Sequence, residues 1–145
     1  MYKDTITLFN RKPGTAATGD TWYPTVIKNV NVNIDRAAIL AKYGPEAQDG
    51  AVLFVRYRKD NGDIIIADKP WMSPKEWDGT TDSLTFSTAG DFFWCGEWNG
   101  GIVSDADYSP DGFYGWMNWT HDFVFAISAV GGPYTVIQKF EIMGK

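Results

Sequence analysis

A chain of 145 residues with 44% hydrophobic and 21% charged side chains has the composition of an ordinary globular protein, and we expect one β-rich domain over residues 1–145. The formal net charge of −5, with the basic residues scattered, argues against direct binding of nucleic acid. A lone cysteine, Cys95, excludes a disulfide scaffold within the chain, and an aromatic content of 16% favours strands.

The N-terminal half of the chain predicts strands separated by polar loops. Apolar and polar residues alternate over 5–10, which predicts the first strand, and residues 22–33 predict a long second strand with one solvated face. Residues 51–58 and 63–67 predict a hairpin whose turn is Asn61-Gly62, because these residue types adopt the positive φ values that such turns need. Strands in this arrangement are typical of an antiparallel all-β domain.

A loop at 35–49 separates the second predicted strand from the third. Its centre contains helix formers, but only about two turns of them precede Gly44-Pro45, so we expect a helical turn within a protruding loop. We take Ile39, Leu40 and Tyr43 as the candidate assembly residues of this loop. Their side chains either contact a neighbouring subunit or fold back onto their own domain.

Residues 91–132 form the most aromatic part of the chain and contain four of its seven tryptophans. Because each large ring buries on the order of 150–250 Å² inside a protein, we expect this stretch to fill the core, with the other strands around it. The predicted aromatic core consists of Trp94, Trp98, Phe113, Trp116, Phe123 and Phe125.

Local patterns predict the remaining elements of the C-terminal half. Ser109-Pro110-Asp111 is a typical helix start, and the spacing of the apolar residues after it predicts one short α-helix near 110–119. Strands are predicted at 83–88, 122–130 and 134–143. A turn at 131–133 would precede the last of them. We therefore predict a mostly β fold, as a small antiparallel β-barrel or sandwich.

The acidic run that begins at Asp105 resembles the start of a calcium-binding EF-hand loop, because acidic and hydroxyl side chains alternate in it. The match then fails, since Pro110 stands where that loop needs glycine and Trp116 stands where it needs a bidentate glutamate. A solvated loop that caps the next helix is the simpler interpretation.

Other reactive side chains form no recognisable catalytic set. Glu97 and Asp91 lie near tryptophans, as the carboxylates of a glycosidase would, but such a site needs two carboxylates at a defined separation. The only histidine, His121, is interpreted as a polar cap at a helix-to-strand junction, and Cys95 as a small buried apolar side chain. We predict a protein that is not an enzyme, with no catalytic residues, no cofactor and no metal. Exposed rings without catalysis would also suit a carbohydrate-binding module.

Several short segments, spread over most of the chain, are distinctive as a set. They are residues 4–10, 22–26, 37–44, 74–77, 91–94, 96–98, 112–114, 117–118 and 130–134. With these segments the chain resembles a family of small phage and prophage structural proteins, usually described as minor capsid proteins or uncharacterised phage proteins. The opening of the chain also looks like phage head-closure proteins, which are small β-barrels that form rings at the portal.

The resemblance implies a virion component that is made in the cytoplasm of a bacterial host and placed in the head–tail neck. Its expected partners are other virion proteins, namely portal, adaptor or tail neighbours, and further copies of itself in a ring. It implies no membrane and no direct contact with nucleic acid. The alternative function is a non-catalytic carbohydrate-binding β-module.

Overall fold

A closed barrel of six antiparallel strands forms the centre of the protein in the computed structural model, which describes residues 2–34 and 50–145. The predicted loop at 35–49, with Ile39, Leu40 and Tyr43, lies outside the described residues. The strands are β1 (Asp4–Lys12), β2 (Thr21–Ile34), β3 (Ala51–Arg56), β4 (Arg58–Asp60), β5 (Asp63–Ile66), β6 (Lys69–Pro70), β7 (Phe92–Trp94), β8 (Val103–Ser104), β9 (Val124–Tyr134) and β10 (Lys139–Gly144). The α-helix of the described residues, α1 (Gly112–Thr120), follows a 3-10 turn at Asp105–Tyr108.

The barrel strands run in the order β1, β7, β9, β10, β3 and β2, and pairing of β2 with β1 closes the ring. In that closing pair, Leu8 stands opposite Thr25. Strands β4, β5 and β6 form a separate small sheet, and β8 adds to β2 outside the barrel. The mostly β fold is therefore confirmed, and it is a barrel. Within the described residues, no helix is long and apolar enough to cross a membrane.

Three neighbouring barrel strands are buried on both faces where they meet: the centre of β1, the strand β7 and the start of β9. Leu8 packs in the barrel interior, whereas the adjacent Phe9 packs in a second cluster outside the barrel wall. The same division separates Phe93 from Phe92 on β7. Because both faces are covered, β7 and the start of β9 are dense apolar runs without the usual alternation.

The last hairpin differs from the prediction at its turn. Gly131-Gly132-Pro133 was expected to form the turn, but these residues belong to β9, and the connection to β10 runs through 135–138. The register of β9 against β10 shifts between the pairs Lys139–Tyr134 and Glu141–Gly131, which marks a β-bulge on β9. Gly132, with φ of 108°, supplies the backbone conformation that this irregularity needs.

The predicted strand at 83–88 is wrong. Within residues 2–34 and 50–145, the strand-type pairing of this segment is a single isolated bridge between Leu84 and Trp71. The reason is a side chain that replaces a strand partner: the Asn10 amide donates to the carbonyl oxygen of Thr85 at 2.7 Å and accepts from its backbone N–H at 3.4 Å. Leu84 and Phe86 are nevertheless buried, in the same cluster as the residues of the barrel interior, although their segment forms no continuous strand pairing.

The helix begins two residues later than predicted, and its cap is different. Asp111 occupies the N-cap position and makes no capping bond with its side chain. The carboxylate of Asp105 instead accepts from the backbone N–H of Phe113 at 2.9 Å and from the indole N–H of Trp22 at 2.7 Å. One acidic side chain from the preceding turn therefore fixes the helix start to strand β2.

Candidate functional site

The aromatic stretch builds a layer on the outside of the barrel. Phe113 and Met117 of α1 are fully buried against Phe9, Trp22 and Phe92. The half-buried rings that complete this outer aromatic layer are Trp94, Trp98, Tyr108, Tyr114 and Trp116. The barrel interior is mainly aliphatic, and Phe125 is the member of the predicted aromatic core that lies there.

Phe123 was predicted to lie in the core, and this prediction is wrong. Phe123 is 46% exposed, and its φ of 62° is a left-handed backbone conformation that is uncommon for residues other than glycine. Its carbonyl oxygen accepts from the backbone N–H of Cys95 at 3.1 Å, which fixes the chain as it passes from the helix into β9. This backbone conformation leaves the Phe123 ring partly in solvent. Val124 then packs in the outer aromatic layer, and Phe125 packs in the barrel interior.

Two large rings are therefore exposed beside the helix-to-strand junction: Trp119, 88% exposed, and Phe123. We call this pair the aromatic end. The His121 ring lies between Trp94 and Trp116, with ring centroids at 4.9 and 5.4 Å, and its backbone N–H donates to the carbonyl oxygen of Met117. His121 thus caps the C-terminus of α1, and Trp119 and Phe123 are the exposed apolar side chains of the surface around this junction.

A second apolar surface lies at the tip of the β9–β10 hairpin. Val136 is 98% exposed, Ile137 63% and Tyr134 44%. We call these three residues the hairpin tip. Exposed apolar groups that gather at one place, rather than singly, are typical of interaction surfaces.

The base of the hairpin tip is firmly held. The Tyr57 hydroxyl donates to the carbonyl oxygen of Tyr134 at 2.6 Å, and the Tyr57 backbone N–H donates to that of Gln138 at 3.1 Å. Tyr57 is itself buried and packs on Phe140, with ring centroids 5.5 Å apart. The tip is therefore presented on a fixed base, which lowers the entropic cost of binding a partner there.

The two apolar surfaces lie at opposite ends of one strand. Phe123 immediately precedes β9, and residues 135–138 immediately follow it. A strand of 11 residues spans roughly 36 Å at about 3.3 Å per residue. One molecule cannot bring its own hairpin tip onto its own aromatic end.

The acidic residues weighed as metal ligands or catalytic groups do not converge. Asp105 is committed to Trp22 and Phe113, and Glu97 lies 3.7 Å from the Lys28 ammonium on the surface. Across residues 2–34 and 50–145, no group of three or more His, Cys, Asp or Glu residues could hold a metal ion. Burial, with a smaller contribution from Asp4, raises the pKa of the Cys95 thiol to about 11, so the thiol stays protonated at neutral pH.

Asp91 joins three segments. One carboxylate oxygen accepts from the backbone N–H of Arg11 at 2.8 Å, and the other accepts from the Asn10 amide at 2.8 Å and the backbone N–H of Ser87 at 3.1 Å. Burial raises the pKa of Asp91 to about 6, and the three hydrogen bonds and the nearby Arg11 charge oppose this rise. With both oxygens occupied, Asp91 acts as a structural anchor.

A cleft of about 280 Å³ opens above this anchor. It is lined by Arg11, Lys12, Pro13, Pro74, Trp77, Asp78, Gly79, Thr85, Ser87, Ala89 and Asp91. Two glycines with positive φ, Gly79 and Gly90, let the loop backbone lie directly on the side chains of Lys12 and Arg11. A Cβ atom on Gly79 would stand 2.7 Å from Cδ of Lys12, and a Cβ atom on Gly90 would stand 2.6 Å from Cδ of Arg11.

A family model matches residues 1–131 of the chain; it is that of DUF6751, a family of unknown function. The chain belongs to DUF6751. No curated protein and no solved structure matches it. The part of the chain that matches DUF6751 includes the aromatic end and the cleft, and it stops within β9 before the hairpin tip.

The sequence pattern did not indicate the cleft or the hairpin tip in this DUF6751 member. Residues 134–143 were predicted as one strand, so Val136 and Ile137 were expected to alternate within a sheet. No local signal marked the tip, because residues 135–138 contain none of the Gly, Pro, Asn, Asp or Ser residues that usually mark a turn. The cleft residues are separated by up to 80 positions in the chain, and only the packing of the loops at 71–91 on β1 brings them together.

Proposed function

We propose that the protein is a non-enzymatic structural protein of a phage virion that works through protein–protein contacts in the head–tail neck. One observation carries this proposal: the apolar hairpin tip stands in solvent on a base that Tyr57 holds in place. An apolar surface prepared in this way favours burial against a neighbour. The resemblance of the chain to minor capsid-type phage proteins supplies the setting.

The arrangement of the exposed residues also favours head-to-tail contact between copies. A heterologous interface, in which one surface meets a different surface of the next subunit, generates a closed ring when the rotation between subunits fits. The hairpin tip and the aromatic end are two different apolar surfaces at opposite ends of β9. Packing Val136 and Ile137 of one copy against Trp119 and Phe123 of the next would cover both.

The proposal is tested by placing charge on the hairpin tip. In the phage that encodes the chain, Val136→Asp with Ile137→Asp should leave the subunit folded, because both side chains are exposed, but should prevent heads and tails from joining. Electron microscopy of the lysate measures joined particles, and circular dichroism of the purified variant measures its folding.

The matched control is Thr135→Asp with Gln138→Asp, which adds the same charge to the same turn without removing apolar side chains. This control should assemble normally. Normal yields of joined particles from the Val136 and Ile137 variant would refute the role of the tip. Absence of the protein from purified wild-type virions, measured by mass spectrometry, would refute the virion proposal itself.

A further inference from the structure

We propose that a groove beside β2 binds an extended acidic peptide segment, which adds as a strand along an unpaired part of β2. The groove has a volume of about 510 Å³ and is lined by residues of β2, of the chain from β3 to β4, and of the turn after β5. We call it the cationic groove. Its lining residues belong neither to the hairpin tip nor to the aromatic end, so this inference goes beyond the proposed structural role.

Strand β2 has a backbone edge without a strand partner where it borders the cationic groove. On one side, β2 pairs with β1 from Thr21 to Val30. On the other side, β8 pairs with the first two residues of β2, and β3 pairs from Asn31 onward. Among residues 2–34 and 50–145, no strand therefore pairs with that second side between 23 and 30. The N–H and C=O groups of such an edge are the template to which an extended peptide adds.

The unpaired stretch exists because β2 and β3 part at the groove. The register of β2 against β1 skips Asn29, whose φ of 59° accompanies a β-bulge that bends the strand. Strand β3 ends at Arg56, and the chain then enters β4 of the separate small sheet. The turn Ala67-Asp68, with φ values of 52° and 61°, joins β5 to β6 and also lines the groove. The backbone therefore shapes the groove before a ligand arrives, which lowers the cost of binding.

The charge around the groove is opposite in sign to that of the whole chain. The chain carries a net charge of −5, yet the groove is lined by three cationic side chains and one acidic one, namely Lys28, Arg56, Arg58 and Asp68. The Arg56 guanidinium stacks on the Tyr2 ring, 4.1 Å from its centroid. Stacking in this way leaves the N–H groups at the edge of a guanidinium outside the contact with the ring. An acidic ligand therefore complements this surface.

The acidic neighbours of these cations hold them only weakly. The Lys28 ammonium lies 3.7 Å from Glu97, and the Arg58 guanidinium lies 3.6 Å from Asp68 and 3.8 Å from Asp60. These distances are longer than a hydrogen bond, and the side chain of Asp68 is 96% exposed. Exposed ion pairs of this kind contribute little to stability. A ligand carboxylate that approaches to about 2.8 Å makes a stronger, charge-assisted hydrogen bond and can replace them.

The floor of the groove is apolar. Val26 and Ile65 are half-buried there, and Ile66 and Tyr57 are buried. Successive side chains of an extended peptide point to opposite faces. A peptide that alternates acidic and apolar residues can therefore place apolar side chains on the floor while its carboxylates reach the cations. A nucleic acid would meet the same cations, but it lacks the alternating N–H and C=O groups that pair with a strand edge.

The experiment measures the binding of a fluorescein-labelled peptide of alternating glutamate and valine, blocked at both ends, to the purified protein by fluorescence anisotropy. This peptide should bind, and its affinity should fall as salt is added, because salt screens exposed charges. The same peptide with lysine in place of glutamate should bind at least tenfold more weakly. In the complex, hydrogen exchange measured by NMR should slow at backbone amides between 23 and 30 that point away from β1.

Lys28→Glu with Arg58→Glu should weaken binding of the glutamate peptide at least tenfold while the protein stays folded by circular dichroism, because both side chains are exposed. The matched control, Lys59→Glu with Lys75→Glu, changes the net charge equally at exposed residues that do not line the groove, and its affinity should stay nearly unchanged.

Four results would each overturn the proposal. They are no binding of the glutamate peptide, an equal loss of affinity in both double variants, binding without slower exchange between 23 and 30, and tighter binding of a single-stranded oligonucleotide of the same length. None of them bears on the virion proposal, which the hairpin-tip variants test separately.

Discussion

Replacing Phe113 with alanine tests whether the outer aromatic layer holds α1 on the barrel. Phe113 is fully buried, and six rings surround it with centroid distances between 5.0 and 6.3 Å. Loss of a buried phenylalanine removes its transfer free energy and leaves a cavity, which together cost about 3–5 kcal/mol. The surrounding rings belong to separate elements, so the gap cannot close by the movement of one of them. We therefore expect a loss near the middle of this range, about 4 kcal/mol.

Urea denaturation followed by tryptophan fluorescence measures this loss. With a slope of about 2 kcal/mol per M, the midpoint for Phe113→Ala should fall by about 2 M. Phe123→Ala is the control, because it removes the same ring from a residue that is 46% exposed, and it should cost less than about 1 kcal/mol. A midpoint for Phe113→Ala within experimental error of that for Phe123→Ala would refute the idea that the outer layer is a second core.

Two further predictions concern carboxylates. Because burial raises the pKa of Asp91 from its usual 3.8 to about 6, the folded state keeps a proton that the unfolded chain has already lost between these values. Stability from this group should therefore fall by roughly 3 kcal/mol as the pH rises through that window, and urea titrations of Asp91→Asn should lack this component. A difference between wild type and variant that stays constant from acid to neutral pH would contradict it. Asp105→Ala leaves the N–H groups of Trp22 and Phe113 without their acceptor and should cost about 2–4 kcal/mol, whereas Asp107→Ala on the exposed face of the same turn should cost little. Added calcium should not change the melting temperature of the wild type; a shift that Asp107→Ala abolishes would show a calcium site.

The barrel strands whose sequences alternate between apolar and polar residues were the easiest to predict. Strands β1 and β2 lie within two residues of their predicted bounds, because side chains alternate between core and solvent along much of β2. Strand β7 was missed, since its three residues, Phe92–Trp94, are apolar on both faces and resemble any buried segment. The last turn was misplaced because Gly132 serves a bulge inside a strand, and glycine looks the same in a turn and in a bulge.

The candidate surfaces were harder to predict than the strands. The exposure of Phe123 depends on a left-handed backbone conformation that its residue type disfavours, so hydrophobicity placed it in the core. The cleft depends on the long-range bond between Asn10 and the backbone of Thr85, which gives no local pattern. The aromatic stretch was expected to fill the core, whereas most of its buried and half-buried rings form a layer on the outside of the barrel.

Closure of the barrel by β1 and β2 restricts how a neighbour can bind. Each of the six barrel strands pairs with a strand on both sides over part of its length, so the closed part of the barrel leaves no backbone edge for an added strand from another chain. A partner at this closed part of the barrel must therefore recognise side chains on the outer wall, with no strand register to match. Substitutions at such positions can change the partner without disturbing the barrel, which frees the contact surface to diverge faster than the fold that carries it.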